Sequence, residues 1–179
     1  MKVTRLLLLL PAAMFFFAKA SAEPLKVGDP APAVIGITET GEKLDFASVY
    51  KRQTYTLVYF YPKADTSGCT AQGCSLRDGY EALTKQQVAI IGVSHDDAAT
   101  QKAFKEKYHL PFTLIADTEK TVINAFGVPT KVVPLAGEFA SRSAYLIKDG
   151  KIIYADYKGT TVKQAEAILN AINPPPPTI

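Results

Sequence analysis

The chain has 179 residues, with 20 Lys and Arg against 17 Asp and Glu. Three of the basic residues, Lys2, Arg5 and Lys19, lie in the first 22 positions, which contain no acid, so the rest of the chain carries 17 charges of each sign. This balance gives no support for binding to nucleic acid or to an anionic membrane. The length beyond residue 22 is that of one domain with a sizeable core.

Residues 1–22 have the pattern of a secretory signal. Two basic residues precede an apolar run at 6–18, which is 13 residues long and shorter than the ~20 that span a bilayer. Small residues at Ala18, Ala20 and Ala22 match a cleavage site. We expect cleavage after Ala20 or Ala22 and export to the periplasm or the medium, with no stable membrane association of the mature chain. The alternative is an uncleaved membrane anchor.

Three elements are predicted before the first cysteine, from alternating or apolar patterns bounded by turn residues. They are a hairpin of strands 34–38 and 43–46 around Thr40-Gly41, a helical turn at 47–51 and a buried strand at 57–61. Pro62 ends this strand, and a polar loop at 63–68 follows it.

The two cysteines of the chain follow this loop, on a predicted helix. The helical pattern places Leu76, Tyr80 and Leu83 on one side, Cys69 in the first turn and Cys74 inside the helix. The first turn has unpaired N–H groups and a partial positive charge, both of which favour the thiolate, the reactive form of cysteine. Thr66 and Ser67 are good N-cap residues, and we expect the Thr66 hydroxyl to lie within reach of the sulfur.

The spacing of the cysteines argues against a structural disulfide within an intact helix. Residues five apart on a helix have Cα atoms roughly 8–9 Å apart, beyond the ~7 Å limit for a disulfide. The bond therefore requires the helix to open, as in a redox switch, and Gly73 lowers the cost of opening by about 1 kcal/mol relative to Ala. A zinc site is disfavoured because two thiols are too few ligands and neither His95 nor His109 is near in sequence.

The remaining elements alternate between strand and helix and end with a hairpin and a helix. They are strands 88–94 and 112–116, helices 98–107 and 120–126, a hairpin of 144–148 and 151–157 around Asp149-Gly150, and helix 162–172. The order predicts an α/β domain with a mixed central sheet flanked by helices and an N-terminal hairpin extension. We assign residues 23–173 to this domain and 174–179 to a Pro-rich tail.

The stretch around the cysteines resembles the peroxiredoxins. Pro62, Thr66 and Cys69 stand in the P-x-x-x-T-x-x-C pattern, and YFYPKADTSGCTAQGCSLRD is similar to the peroxiredoxin Q, or bacterioferritin comigratory, subfamily. One departure is Ser67, where the family often has Pro. The resemblance implies a thioredoxin-like fold and a peroxidase for hydrogen peroxide and organic hydroperoxides, with Cys69 peroxidatic and Cys74 resolving. It further implies a thioredoxin-like reductant, no metal, haem or flavin, and a monomer.

The resemblance also implies roles for three further residues. The string RSAYLI is similar to the segment that carries the family's active-site arginine, which makes Arg142 a ligand for the thiolate and the peroxide. Pro62 would shield the thiolate from water, and Gln72 would support the loop. The alternatives are an ordinary exposed Arg142 at a strand start and a Pro62 that only terminates a strand.

Two other functions are compatible with an exported chain that has two cysteines. One is a thioredoxin-like thiol-disulfide oxidoreductase, although such proteins carry C-x-x-C and this chain has four residues between its thiols. The other is a non-catalytic domain with a structural disulfide.

Overall fold

The computed structural model describes residues 23–135 and 137–174. The predicted signal at 1–22 and most of the Pro-rich tail lie outside these residues. The strands are β1 Ile35–Ile37, β2 Lys43–Asp45, β3 Tyr55–Phe60, β4 Val88–Ser94, β5 Thr113–Ala116, β6 Thr130–Val133, β7 Gly137–Ala140, β8 Ser143–Lys148 and β9 Lys151–Asp156. The helices are α1 Phe46–Arg52, α2 Ser67–Asp78, α3 Tyr80–Lys85, α4 Ala98–Lys107, α5 Thr121–Ala125 and α6 Gln164–Ile172.

The central sheet has five strands in the order β5-β4-β3-β8-β9. Strands β3, β4 and β5 are parallel, while β8 is antiparallel to both of its neighbours, β3 and β9. The sheet is therefore mixed, as predicted. The predicted N-terminal hairpin is also present, as β1 paired with β2 in a separate two-stranded sheet.

Strand β3 lies at the centre of the sheet and is buried on both faces. Leu57 and Tyr59 pack in one core cluster, together with apolar residues of α2, α3, α4 and α6. Val58 and Phe60 pack in a second cluster with apolar residues of α1 and α5. Successive side chains of a strand point to opposite faces, so the continuous apolar run at this strand corresponds to helices covering both sides.

The helical pattern that begins before Cys69 forms two helices instead of one. Helix α2 ends at Asp78 with Gly79 as its C-cap, and α3 begins directly after Gly79. A Cβ atom on Gly79 would lie 2.5 Å from the Cβ of Ala165 in α6. Glycine therefore permits the close approach of α6, and the chain changes direction at the contact.

The β6–β7 hairpin is an element that the sequence pattern did not predict. Strand β6 has the sequence TKVV, which lacks the alternation of apolar and polar residues that predicts a half-buried strand. Lys131, Val132 and Val133 are all exposed. The hairpin lies next to the site described below. In the described ranges, no helix is long and apolar enough to span a membrane.

Candidate active site

Cys69 lies in the first turn of α2, at the point where the chain leaves the centre of the sheet. Thr66 occupies the N-cap position, so Cys69 is the third residue of the helix. Its side chain is buried in the core cluster that covers one face of the sheet. The thiol is thus placed at the positive end of a helix with little access to water, an environment that stabilises an anion only when other donors face it.

Arg142 supplies such a donor. Its Nη2 donates to Cys69 Sγ at 3.3 Å. The contact follows from the sheet, because Ser143 at the start of β8 pairs with Phe60 at the end of β3, next to the loop that leads to Cys69. The structure therefore brings together two residues that are 73 positions apart. A guanidinium at this distance attracts a thiolate and leaves further N–H groups for a bound oxygen.

Two buried glutamine side chains connect the same guanidinium to α6. Gln72 Oε1 accepts a hydrogen bond of 2.5 Å from Arg142 Nη1. Gln72 Nε2 donates at 2.9 Å to Oε1 of Gln164, the first residue of α6. Both glutamine side chains are fully buried. Gln72 was expected to support the loop before Cys69; its contacts in the structure are with Arg142 and α6.

The loop after β9 supports the aliphatic part of Arg142. Gly159 has φ +65, and a Cβ at this position would overlap Cγ and Cδ of Arg142. The loop is shaped by Asp156, whose carboxylate accepts from the N–H groups of Lys158, Gly159 and Thr160 at 2.9, 3.0 and 2.8 Å. Burial of the carboxyl opposes ionisation, but these N–H donors outweigh it and hold the pKa of Asp156 below its usual value.

Thr66 differs from the expectation in its side-chain contact. Its hydroxyl donates to the carbonyl oxygen of Lys63 at 3.0 Å, within the loop. It makes no side-chain cap bond and no hydrogen bond to Cys69 in the part of the chain described by the structure. Its backbone carbonyl accepts from Thr70 N at 2.8 Å and so starts the helix. In this structure Thr66 shapes the turn that precedes the sulfur.

Pro62 and Arg142 both line a pocket beside the site. The pocket has a volume of about 540 Å³ and lies between the β6–β7 hairpin and the loop after β9. It combines an apolar wall with Arg142 and two lysines, and is lined by Pro62, Lys131, Val133, Phe139, Ala140, Ser141, Arg142, Tyr157 and Lys158. The predicted shielding of the thiolate by Pro62 stays a prediction.

Two tyrosines share the core cluster of Cys69 and remain neutral. Burial is the main cause that raises the pKa of both Tyr59 and Tyr61 above the usual value for a phenol. The Tyr61 hydroxyl donates a hydrogen bond to Oε1 of Gln101. Neither phenol therefore supplies negative charge that would compete with a thiolate for Arg142.

Comparison with known proteins decides the family. Residues 27–155 match the model of the AhpC/TSA family. A bcp peroxiredoxin of Coxiella burnetii is 35% identical over 133 residues, which make up 73% of this chain and 87% of that relative. The chain belongs to the peroxiredoxins of the AhpC/TSA family. It is thus a thiol-dependent peroxidase, an oxidoreductase, as the resemblance implied.

Other relatives carry the same subfamily name and the same fold. The chloroplastic peroxiredoxin Q of Oryza sativa subsp. japonica is 46% identical over 99 residues, or 55% of this chain and 44% of that protein, so this chain spans less than half of it. The crystal structure of peroxidoxin BcpB from Mycobacterium tuberculosis is similar, with a TM-score of 0.76, 23% identity and coverage of 83% of this chain and 96% of that one. This likeness confirms the thioredoxin-like fold.

The second cysteine of this peroxiredoxin is on the same unbroken helix. Cys74 is half-buried, and both cysteines are free. Since α2 continues through Asp78, the two Cα atoms are separated by five helical residues, roughly 8–9 Å. This Cα separation exceeds the ~7 Å limit for a disulfide, so the two sulfurs cannot bond while the helix is intact.

The loop that carries Pro62 and Thr66 is anchored by two carboxylates. Asp96 accepts from Ala64 N and from Ser94 Oγ, both at 2.7 Å. Asp65, with φ +60, binds Lys107 Nζ and accepts from Tyr108 Oη at 2.5 Å. Neither anchor is predicted by the sequence pattern. A carboxylate in a turn after a strand is a common helix cap, and only the fold shows that Asp96 faces the cysteine loop.

Proposed function

We propose that this peroxiredoxin reduces hydrogen peroxide and organic hydroperoxides at Cys69 and forms an intramolecular disulfide with Cys74. The hydrogen bond from Arg142 Nη2 to Cys69 Sγ at the buried start of α2 is the observation that supports this proposal. A guanidinium at the sulfur serves both the thiolate and the oxygen atoms of a peroxide.

The first step transfers one oxygen atom. The Cys69 thiolate attacks the distal oxygen of the hydroperoxide in line, the O–O bond breaks, and Cys69 becomes a sulfenic acid. The leaving oxygen takes a proton and departs as water or an alcohol. Arg142 and N–H groups of the α2 start stabilise the charge on the two separating oxygens. Thr66, whose hydroxyl bonds within the turn before Cys69, helps Arg142 to hold the peroxide, and Pro62 limits the access of water.

The second step requires α2 to open. Cys74 attacks the Cys69 sulfenic acid, an S–S bond forms and water leaves. An external dithiol then returns both cysteines to thiols by exchange and is itself oxidised to a disulfide. We propose a thioredoxin-like protein as this dithiol donor, with the peroxiredoxin acting as a monomer.

Replacing each cysteine with serine tests the assignment. We expect Cys69→Ser to abolish peroxide turnover, because no peroxidatic thiolate remains. Cys74→Ser should react once and stop at a sulfenic acid that dimedone labels at Cys69, as measured by mass spectrometry. If Cys69→Ser retained the first reaction and Cys74→Ser lost it, the roles would be reversed.

We further propose that the chain is exported and that its reductant acts outside the cytosol. The basic start, the apolar run at 6–18 and the small residues at Ala20 and Ala22 support this proposal. N-terminal sequencing of the protein from its native cell should begin at Ser21 or Glu23. A mature protein that still begins at Met1 would contradict it.

A further inference from the structure

We propose that Gln164, on the C-terminal helix α6, is a positioning residue that orients the Gln72 amide and thereby holds Arg142 beside Cys69. This inference rests on the proposed roles of Cys69 and Arg142. It is carried by two consecutive hydrogen bonds, Arg142 Nη1 to Gln72 Oε1 at 2.5 Å and Gln72 Nε2 to Gln164 Oε1 at 2.9 Å.

The chemistry of the groups fixes the direction of both bonds. A guanidinium has donors only, so the carbonyl oxygen of Gln72 must face Arg142. The amino group of Gln72 then points away from the arginine and needs an acceptor, because the side chain is fully buried. Gln164 Oε1 supplies that acceptor. With Gln164 absent, the amino group of Gln72 would be buried without an acceptor, which makes the orientation that faces Oε1 toward Arg142 less favourable.

The other contacts of Gln164 indicate that its polarity serves this bond. The side chain is fully buried, and its Nε2 has no hydrogen-bond partner in the described residues. A buried donor without a partner is unfavourable, so packing alone would favour an apolar side chain here. Within the described ranges, the single side-chain bond of Gln164 is the one to Gln72.

The position of Gln164 is set by the contact between α6 and α2. Ala165 N donates to Ser75 Oγ at 3.2 Å, and Ala165 packs against Gly79 at the end of α2. The start of α6 is therefore fixed relative to the helix that carries Cys69. Because Gln72 is on α2 as well, the Gln164 amide faces it across a short and well-defined interface.

The substitution Gln72→Glu provides a selective test. Both oxygens of a carboxylate accept, so the glutamate side chain introduced in this variant would bind Arg142 without needing orientation by Gln164. The effect of Gln164→Leu should therefore be large when residue 72 is Gln and small in the Gln72→Glu background. A general loosening of α6 would slow both backgrounds equally, so this double-mutant cycle separates positioning from packing.

The measurement is the second-order rate of Cys69 oxidation by hydrogen peroxide, obtained by competition with horseradish peroxidase, since the chain has no Trp to serve as an optical probe. We expect Gln164→Leu to lower this rate about tenfold, the scale set by misplacing one hydrogen bond to a charged group. Gln72→Glu and Gln72→Glu/Gln164→Leu should differ by less than about threefold. Ile168→Ala, one turn along the same helix and fully buried, should lower the Tm and leave the rate unchanged.

Equal slowing in both backgrounds, an unchanged rate in Gln164→Leu, or equal slowing by Ile168→Ala would each overturn the inference. A wild-type protein that does not compete for hydrogen peroxide would instead overturn the proposed function on which the inference rests.

Discussion

Gly73→Ala tests whether opening of α2 limits disulfide formation. Gly73 is buried in the middle of the helix, between Cys69 and Cys74. A Cβ at this position would lie 3.5 Å from both methyl groups of Leu110 and 3.7 Å from Cζ of Phe104, which is ordinary van der Waals contact. The substitution therefore fits the reduced structure without displacing a neighbour.

Two contributions stabilise the closed helix in this variant. Alanine is favoured over glycine in a helix interior by about 1 kcal/mol, and burial of the added methyl contributes up to about 0.8 kcal/mol. The sum, about 1 to 2 kcal/mol, corresponds to a factor of about 5 to 30. If the helix opens before Cys74 attacks, the rate of disulfide formation falls by this factor. Attack on peroxide should be unchanged because it uses the folded start of the helix.

Rapid quenching with an alkylating reagent, followed by mass spectrometry, resolves the two steps. We expect Gly73→Ala to accumulate Cys69 sulfenic acid and, at high peroxide, sulfinic acid. The matched control is Ala71→Gly in the same segment, which should speed disulfide formation by up to about fivefold. Disulfide formation at the wild-type rate in a Gly73→Ala protein with raised Tm would refute the reasoning. Equal amide protection at residues 70–76 in the reduced and disulfide forms would also refute it.

Two further substitutions test how the site is held. Gly159→Ala should slow Cys69 oxidation at least tenfold, because the new methyl displaces Arg142. The control is Gly150→Ala, which has φ +70 and so introduces the same backbone strain, but whose new Cβ would have no atom within 4 Å. It should leave the rate unchanged in the same peroxide competition assay. Asp96→Ala should slow oxidation several-fold, since it releases Ala64 N. Asp97→Ala removes the α4 cap bond to Thr100 N and should cost about 1 kcal/mol of stability by thermal unfolding without slowing oxidation. Equal rates for the two members of either pair would contradict these assignments.

The sequence predicts the central elements of the fold because their patterns are local. The apolar run of β3 and the Asp149-Gly150 turn each specify an element from neighbouring residues, and both elements are found in the structure. The β6–β7 hairpin has no such pattern, since most residues of β6 are exposed and their pairing is set by the neighbouring strand. It was therefore not predicted, although it forms one wall of the pocket.

The candidate site is only partly visible in the sequence. Cys69 and its helix start follow from the local pattern, and Arg142 was identified by resemblance. The Gly159 loop, Asp96 and Gln164 have no local signal of function, because the residues that they contact lie 17 to 92 positions away in the sequence. Asp156, the last residue of β9, and Gly159, three residues later, have a pattern typical of turns. That pattern predicts the turn but not the arginine packed against it.

The contacts around the start of α2 differ from those around its middle. In the loop before Cys69, Asp65 binds Lys107 and Tyr108 at the end of α4. Asp96, which follows β4, accepts from Ala64 N of the same loop. These bonds do not involve residues 70–76. In the middle of the helix, Gly73 contributes no side chain to the packing. Ser75 Oγ accepts from Ala165 N, and Gln72 is bonded to Arg142 and Gln164. If the middle opens as proposed, the loop contacts would remain and Gln72 would be withdrawn from Arg142. In the proposed cycle, Gln72 holds Arg142 while the Cys69 thiolate reacts with peroxide. Arg142 loses this hydrogen bond when the helix opens after the sulfenic acid has formed. The same buried amide would thus hold the site closed for the first reaction and release it for the second.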